Sequence, residues 1–406
     1  MTTTSGRSPA IIFILVTVTI NSMGIGLMMP VMPGLMLELT DKSDLANAAL
    51  WSGYMVSGYA LMQFLFSPTL GNLSDRFGRR PVLMISLSLM TVDYLVMALT
   101  PSLSILIAAR LMAGAAAATF STANAYIADI STREKRAANF GLTGAAFGLG
   151  FVFGPAIGGY LGDIGPRIPF FAAAALTFCN LVFGYFVLPE SLKNENRRPF
   201  DLKRANPLGI IKQIRKFPTV AWFLAAIFLY DLAHYVYPAI WHFFAKENFG
   251  WGPSDIGLSL MVVGIGFAVV QGYLIRKMLP RLGEAKTALL GLVLNVFVLV
   301  AIALSTEGWM IYALVPITSL SAIVTPALQG LMANRVPDNA QGELQGAVAG
   351  LAGLAFVFTP LIMTQLFAVF TDETGLYFPG APFFAAAVFS ALAIIPFMKG
   401  LKTVRD

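Results

Sequence analysis

Long apolar runs alternate with short polar connections along nearly the whole chain. A helix needs about 20 mostly apolar residues to cross the hydrocarbon core of a bilayer, and the runs have that length. The pattern predicts an all-α polytopic membrane protein with twelve transmembrane helices. The expected spans are 10–36, 49–70, 81–100, 103–128, 139–162, 168–189, 219–245, 255–278, 285–305, 308–332, 342–370 and 381–399.

One polar connection is much longer than the others and lies near the middle of the chain. Residues 190–218 contain eight Lys or Arg side chains and separate the first six predicted helices from the next six. We therefore expect an N-terminal six-helix bundle over 1–189, a cytoplasmic linker over 190–218 and a C-terminal six-helix bundle over 219–406. No small-residue cleavage site follows the first apolar run, which favours a retained helix over a signal peptide.

Composition supports the membrane assignment. Charged residues make up 12% of the chain, whereas soluble domains carry roughly 25%. With the N-terminus inside the cell, 23 of the 27 Lys and Arg residues fall in cytoplasmic loops or tails, so we expect both termini in the cytoplasm. The same distribution explains the net charge of +6 without a nucleic-acid partner. The single cysteine and the lack of ligand-like spacing predict no metal site.

The two halves of the chain repeat weakly. Residues 75–80 align with residues 280–285 at an offset of 205, and the Arg-apolar-Gly core is kept, whereas the acid at Asp75 is not. Two related bundles predict a pseudo-two-fold axis along the membrane normal, with a substrate site between the halves near the midplane.

A short polar stretch between two apolar runs concentrates charge and glycine. It reads Gly71-Asn72-Leu73-Ser74-Asp75-Arg76-Phe77-Gly78-Arg79-Arg80-Pro81. Glycine permits a tight turn between helices, Asp75 can accept from a helix N-terminus, and Arg79 can pair with a nearby acid, for which Asp129 is the candidate. We interpret Gly71, Asp75, Arg76, Gly78, Arg79 and Asp129 as a conformational latch. A static turn that only marks topology is the alternative.

This stretch resembles the signature loop of the major facilitator superfamily, G-x-L-x-D-R-x-G-R-R. The fifth predicted helix is also similar to the motif of that superfamily's antiporters. Its small residues predict close helix packing, with a bend at the proline. The residues concerned are Gly150, Gly154, Pro155, Gly158 and Gly159.

Further segments are similar to the tetracycline/proton efflux branch of that superfamily. They are 24–33, 59–63, 81–83, 93–95, 326–330 and 341–346. The resemblance implies the major facilitator fold and proton-coupled efflux of an amphipathic small molecule or drug across a bacterial-type inner membrane. It also implies a functional monomer that needs a bilayer and a proton gradient but no cofactor.

The resemblance also indicates which polar residues to examine. Asp93 and Arg110 match positions that the efflux family uses and can pair, although a purely structural pair is equally open. Gln63 matches a further family position. Three positions where the family has a titratable residue carry one that cannot titrate. Asn21 and Asn295 stand in place of acids, and Phe267 stands in place of a histidine. The family's mechanism therefore cannot carry over unchanged.

The seventh predicted helix carries both histidines of the chain. Asp231, His234, Tyr235, Pro238 and His242 follow helical spacing and would share one face. We predict that Asp231 and His234, with Asp93, carry protons, because ionisable groups in a membrane are costly and usually functional. A structural Asp–His hydrogen bond is the alternative, and we place His242 near the outer interface.

The substrate-binding candidates include amides and aromatic rings from several helices. They are Asn21, Gln63, Arg110, Tyr235, Trp241, Asn295 and Gln329. For the amides, a role in holding helices together is the alternative. Two other functions stay open: an uncoupled facilitator or importer of a polar metabolite, and a receptor that keeps the fold without transport. An enzyme is disfavoured because the sequence offers no catalytic or phosphate-binding constellation.

Overall fold

The structure, a computed structural model, describes residues 9–40, 44–201, 217, 220–337, 340–372 and 375–403. These residues are predominantly helical and contain no β-strand. Most of the predicted linker, including residues 202–216, lies outside the described residues.

The first half of the chain forms eight α-helices within the described residues. They are α1 (Pro9–Met28), α2 (Met32–Leu39), α3 (Leu45–Phe77), α4 (Arg79–Leu99), α5 (Leu103–Ala115), α6 (Thr119–Ile130), α7 (Arg133–Ile164) and α8 (Ile168–Val187).

The second half forms a matching series over its described part. It comprises α9 (Ala221–His234), α10 (Val236–Phe249), α11 (Pro253–Val269), α12 (Ile275–Ala303), α13 (Gly308–Ser321), α14 (Val324–Ala333), α15 (Gln341–Phe370) and α16 (Ala381–Thr403). A π-helical turn, Val270–Leu274, joins α11 to α12.

The described residues contain ten segments that are long and apolar enough to cross a membrane. One of them, Pro253–Ala303, is 51 residues long, and Gly283 interrupts it with φ 74° and ψ 163°. The helix α3 has 33 residues but is not among the ten, because its polar residues lower its hydropathy. The predicted all-α polytopic membrane architecture is confirmed.

Four of the predicted spans are broken rather than continuous. The breaks lie between α1 and α2, α5 and α6, α9 and α10, and α13 and α14. The first and third breaks, like the second and fourth, are separated by about the repeat offset of 205 residues. Irregular backbone at membrane depth is tolerated where it lines a cavity, so the breaks point to the region between the halves.

Glycines let α7 pack closely against helices on two sides. On one side, a Cβ at Gly154 would lie 2.6 Å from the carbonyl oxygen of Met23 in α1. On the other side, a Cβ at Gly159 would lie 2.5 Å from the carbonyl oxygen of Pro253 in α11. Because the backbones approach so closely, α7 joins the two halves through small residues rather than through large side chains.

Polar contacts reinforce the junction between the halves. The Asp163 carboxylate at the end of α7 accepts from the Ser254 backbone N–H at 3.3 Å and also from the Ser254 hydroxyl. A carboxylate is favoured there because the first turn of α11 has unpaired backbone N–H groups. A second junction joins α3 to α15, where Gln365 donates to the Tyr54 hydroxyl at 2.9 Å.

Candidate functional site

A cavity of about 210 Å³ lies between the two halves, next to the helix breaks. Most of its wall comes from the first half, and α10 and α15 close it from the second. Its polar and aromatic lining includes Asn21, Ser52, Tyr59, Gln63, Asp93, Tyr94, Arg110, Phe120, His242 and Phe356. We call it the ion-pair cavity, because Asp93 and Arg110 both line it. Two other predicted site residues, Asn21 and Gln63, line it as well.

Among the described residues, one ion pair lines the ion-pair cavity, and it joins α4 to α5. Arg110 Nη1 donates to Asp93 Oδ2 at 2.8 Å, and the two side chains are 9% and 4% exposed. The Arg110 guanidinium also lies 4.5 Å from the centre of the Tyr59 ring, a distance at which cation–π attraction operates. The predicted pairing between Asp93 and Arg110 is therefore present.

The ion pair is incompletely satisfied. Among the described residues, Asp93 Oδ1 and Arg110 Nε are buried without a hydrogen-bond partner. A buried polar atom left unpaired costs about 1–3 kcal/mol. The pair therefore retains one acceptor and one donor with which a substrate group or a proton can interact.

His242 also lines the ion-pair cavity, a role that the sequence prediction did not assign to it. Its side chain is 3% exposed, and within the described chain neither ring nitrogen has a hydrogen-bond partner. The break between α9 and α10 explains why His242 lines a different cavity from His234. The backbone at Tyr235 has φ −71° and ψ 0°, so α10 does not continue the helical register of α9. The sequence prediction placed His234 and His242 on one face of a continuous helix, and helical spacing alone does not reveal such a break.

A second cavity, of about 330 Å³, lies beside the first and shares Met29 and Pro238 with it. Its wall is mostly aromatic and aliphatic. We call it the aromatic cavity, and its lining includes Phe147, Phe151, His234, Tyr235, Tyr237, Trp241, Ser259, Val263, Phe267 and Val315. The predicted residues His234, Tyr235 and Trp241 therefore meet here, whereas Asp93 and Arg110 belong to the other cavity.

His234 is surrounded by rings. It stacks on Tyr230 with a centroid distance of 5.5 Å and an interplanar angle of 18°. Phe267, which stands where the family expects a histidine, is 6.1 Å from it. The expected position is therefore close to a histidine in space, although that histidine comes from a different helix.

Three predicted site residues lie outside both cavities. Asp231 is 9% exposed and is not among the lining residues, and over the described part of the chain it makes no ion pair and no hydrogen bond with His234. Asn295 joins α12 to α16 by donating to Ser390 Oγ at 3.0 Å. Gln329 lines neither cavity. The helix-holding alternative therefore describes Asn295 in this conformation.

The polar stretch 71–81 is more helical than predicted. The helix α3 continues to Phe77, and α4 begins at Arg79, so the turn consists of Gly78 alone. Gly78 has φ 107° and ψ 162°, a conformation that only glycine adopts readily. Gly71 lies within the helix and has open space around its Cβ position, so it does not form the turn.

Arg79 is the centre of the charge cluster at this turn. Its Nη1 lies 2.7 Å from Asp75 Oδ1, and its Nε lies 3.1 Å from Asp129 Oδ2. The predicted pair between Arg79 and Asp129 is therefore present. Arg76 lies outside this network, with its guanidinium 5.0 Å from the centre of the Phe77 ring.

Sequence reasoning missed Glu190, which caps the N-terminus of α4. Its carboxylate accepts from the backbone N–H groups of Arg79 at 2.8 Å and of Arg80 at 3.2 Å. We expected Asp75 to accept from a helix N-terminus, and its carboxylate instead pairs with the Arg79 side chain. The sequence signal for Glu190 was its position at the start of the linker, but proximity to α4 depends on tertiary packing.

The repeated stretch in the second half keeps the turn. Gly283 has the same type of backbone conformation as Gly78. Glu284, which stands 205 residues after Arg79, accepts from Asn334 Nδ2 at 2.8 Å, and Asn334 stands 205 residues after Asp129. The pseudo-symmetry therefore includes a side-chain contact, although the chemistry of the contact differs.

Broken helices that enclose a cavity between two related halves are typical of a secondary membrane transporter. The model of the Major Facilitator Superfamily matches residues 14–360 and 226–404. The class C tetracycline resistance protein of Escherichia coli is 43% identical over 359 residues, which are 88% of this chain and 90% of that protein. The class G tetracycline resistance protein of Vibrio anguillarum is 36% identical over 364 residues, or 89% and 91%.

The crystal structure of the nucleoside transporter NupG covers 97% of this chain and 99% of its own with a TM-score of 0.78. At 12% identity, this similarity shows the fold alone. The chain belongs to the Major Facilitator Superfamily and, within it, to the family of the tetracycline resistance proteins. The resemblance that the signature loop indicated is confirmed, and the protein is a membrane transporter.

Proposed function

We propose that the chain exports an amphipathic small molecule, with tetracycline as the first candidate, in exchange for protons. The observation that carries this proposal is the buried Asp93–Arg110 pair in a cavity between the halves. The similarity to tetracycline resistance proteins over most of the chain supports the substrate class. In this proposal the chain lies in a bacterial inner membrane and functions as a monomer.

The proposal includes twelve membrane spans with both termini in the cytoplasm. Ten described segments meet the criteria for length and hydropathy. The turn at Gly283 divides the longest of them, and α3 is long enough to cross despite its polar residues. Charge asymmetry of the loops supports the orientation. The two six-helix bundles would rock about the ion-pair cavity to expose it to each side in turn.

Asp93 is the favoured proton carrier in this mechanism. A proton on Asp93 would neutralise its charge and release Arg110, and substrate could then contact the guanidinium. Asp231 and His234 remain secondary candidates, because Asp231 lines neither cavity and His234 lines the uncharged one. His242 joins Asp93 as a candidate, because it is the one histidine that lines the ion-pair cavity.

Transport in inverted membrane vesicles tests the assignment. Breaking one member of a buried pair costs about 3–5 kcal/mol, so we choose the double variant Asp93→Asn/Arg110→Gln, which removes both charges. We expect this variant to lose tetracycline accumulation driven by a pH gradient and to keep exchange of labelled for unlabelled tetracycline, with a higher half-saturation concentration because the Arg110 contact is missing. Accumulation equal to that of the unmodified chain would exclude the pair from coupling.

Asp231→Asn is the matched comparison in the same assay. It removes a buried charge from the second half but leaves the ion-pair cavity intact. We expect it to retain gradient-driven accumulation. If Asp231→Asn loses accumulation and the double variant keeps it, the proton carrier is Asp231 of α9 and not Asp93.

An uncoupled facilitator or importer is the second candidate. The observation in its favour is that Asn21, Phe267 and Asn295 cannot titrate where relatives of the efflux branch are expected to. Collapsing the pH gradient distinguishes the two functions. Uptake that only reaches equal concentrations on the two sides, at a rate unchanged by the collapse, would support the facilitator.

A further inference from the structure

The aromatic cavity differs in chemistry from the ion-pair cavity beside it. No Asp, Glu, Lys or Arg is among the described residues that line it. Moving an ionised group into such surroundings without a counter-charge is strongly unfavourable. A ligand of this cavity therefore has to be uncharged, unlike a ligand that contacts Asp93 and Arg110.

Two polar atoms in this wall, His234 Nδ1 and Tyr237 Oη, are buried without a hydrogen-bond partner among the described residues. The imidazole ring contacts the rings of Tyr230 and Phe267, at centroid distances of 5.5 and 6.1 Å. An imidazole in contact with these rings cannot easily turn toward another partner, so a ligand hydroxyl or amino group would satisfy His234 Nδ1 and offset the cost of leaving it unpaired.

The remaining wall is suited to a flat molecule. Phe147 and Phe151 of α7 lie nearly parallel, with an interplanar angle of 10°. Across the cavity, the Trp241 indole is fixed because its Nε1 donates to Ser259 Oγ at 3.1 Å. Aromatic rings bind other rings by offset stacking or edge contacts.

We propose that the aromatic cavity is a separate binding site for an uncharged, planar aromatic molecule with one hydroxyl or amino group, which hydrogen-bonds His234. The volume of about 330 Å³ is within the range of small-molecule sites. The site is built from both halves, since α7 supplies one wall and helices α9 to α13 supply the others. It does not depend on proton coupling or on the nature of the exported substrate.

Equilibrium binding of tritiated 2-naphthol and tritiated naphthalene to the purified full chain in detergent tests the proposal. The two probes share ring size, and only 2-naphthol carries a hydroxyl group. We expect saturable binding of both and tighter binding of 2-naphthol. His234→Phe keeps the stacked ring but removes the nitrogen, so it should weaken 2-naphthol binding about fivefold and leave naphthalene binding unchanged.

Filling the cavity provides the second arm. Val263→Trp places a large ring into the cavity and should abolish saturable binding of both probes. Ile265→Trp puts the same ring on the exposed side of α11, where Ile265 is 48% exposed, and controls for partition into detergent and for folding. The proposal is overturned if Val263→Trp binds both probes normally, or if His234→Phe leaves the ratio of the two affinities unchanged.

Discussion

The turns at Gly78 and Gly283 stand 205 residues apart and share a backbone conformation, but they differ in what surrounds them. At the first turn, Arg79 pairs with two carboxylates, and Glu190 caps the helix that follows. At the second turn, the partner of Glu284 is the neutral amide of Asn334. The backbone of the repeat is thus retained without its charges.

The first turn is also tied to the start of the linker. The Arg198 backbone N–H donates to the Asp75 carbonyl oxygen at 3.1 Å, and Asn72 donates to the Asp201 carbonyl oxygen at 2.6 Å. At the offset of the repeat, the counterpart of Glu190 is Ile395, which has no carboxylate. The comparison teaches that glycine sets the shape of the turn, whereas a charge network adds connections between helices. The latch role of that network stays a prediction.

The largest difference is expected for glycine replacement. Both Gly78→Ala and Gly283→Ala force a side chain into a glycine-only conformation, which costs about 1–3 kcal/mol. At Gly78 a Cβ would also collide with the Glu190 carboxylate, whereas nothing lies within 4 Å at Gly283. We expect Gly78→Ala to lower the midpoint of thermal unfolding more than Gly283→Ala. Equal midpoints would show that the Glu190 contact does not matter.

Removing the central charge is the next test. Arg79→Gln leaves Asp75 and Asp129 without their cation, whereas Glu284→Gln keeps an amide oxygen that can accept from Asn334. If the first turn is a latch, the transport rate should fall about tenfold in Arg79→Gln, which corresponds to about 1.4 kcal/mol in the activation barrier. The rate in Glu284→Gln should stay near that of the unmodified chain. Similar rates in the two variants would contradict a special role for the first turn.

A smaller effect is expected from Glu190→Gln. The amide oxygen can still accept from the N–H of Arg79, but the negative charge near the N-terminus of α4 is lost. Such charges contribute about 0.3–1 kcal/mol at low ionic strength. The thermal midpoint should fall slightly in low salt, and the difference from the unmodified chain should shrink in high salt. A midpoint difference that is independent of salt would assign the effect to hydrogen-bond geometry instead.

The smallest effect should follow from giving the second turn the acid of the first. Asn334→Asp places a carboxylate beside Glu284, and the repulsion should lower the thermal midpoint slightly because both groups are near the surface. The double variant Glu284→Arg/Asn334→Asp recreates the pair of the first turn and should restore the midpoint. Failure of the double variant to recover would mean that the two turns do not share side-chain geometry.

Local patterns predicted much of this molecule. The apolar runs identified the helices, and the spacing of the repeat anticipated Gly283 as a second turn. The pairs Arg79–Asp129 and Asp93–Arg110 were predictable because opposite charges in or beside a membrane rarely remain unpaired. The position of His242 was not predictable, because the break at Tyr235 changes the helix face after it. Glu190 was missed because its partners are the backbone N–H groups of Arg79 and Arg80, more than a hundred residues away along the chain.

The sequence by itself determined the membrane class, the repeat and the family, because hydropathy, charge asymmetry and the signature stretch are properties of local residue order. The tertiary structure decided that Asp93 and Arg110 share a cavity with His242, that His234 belongs to a separate aromatic cavity, and that Asn295 bonds to Ser390. The physical reason is that these relations depend on where helices break and how closely their backbones approach. Periodicity along a single helix contains neither quantity.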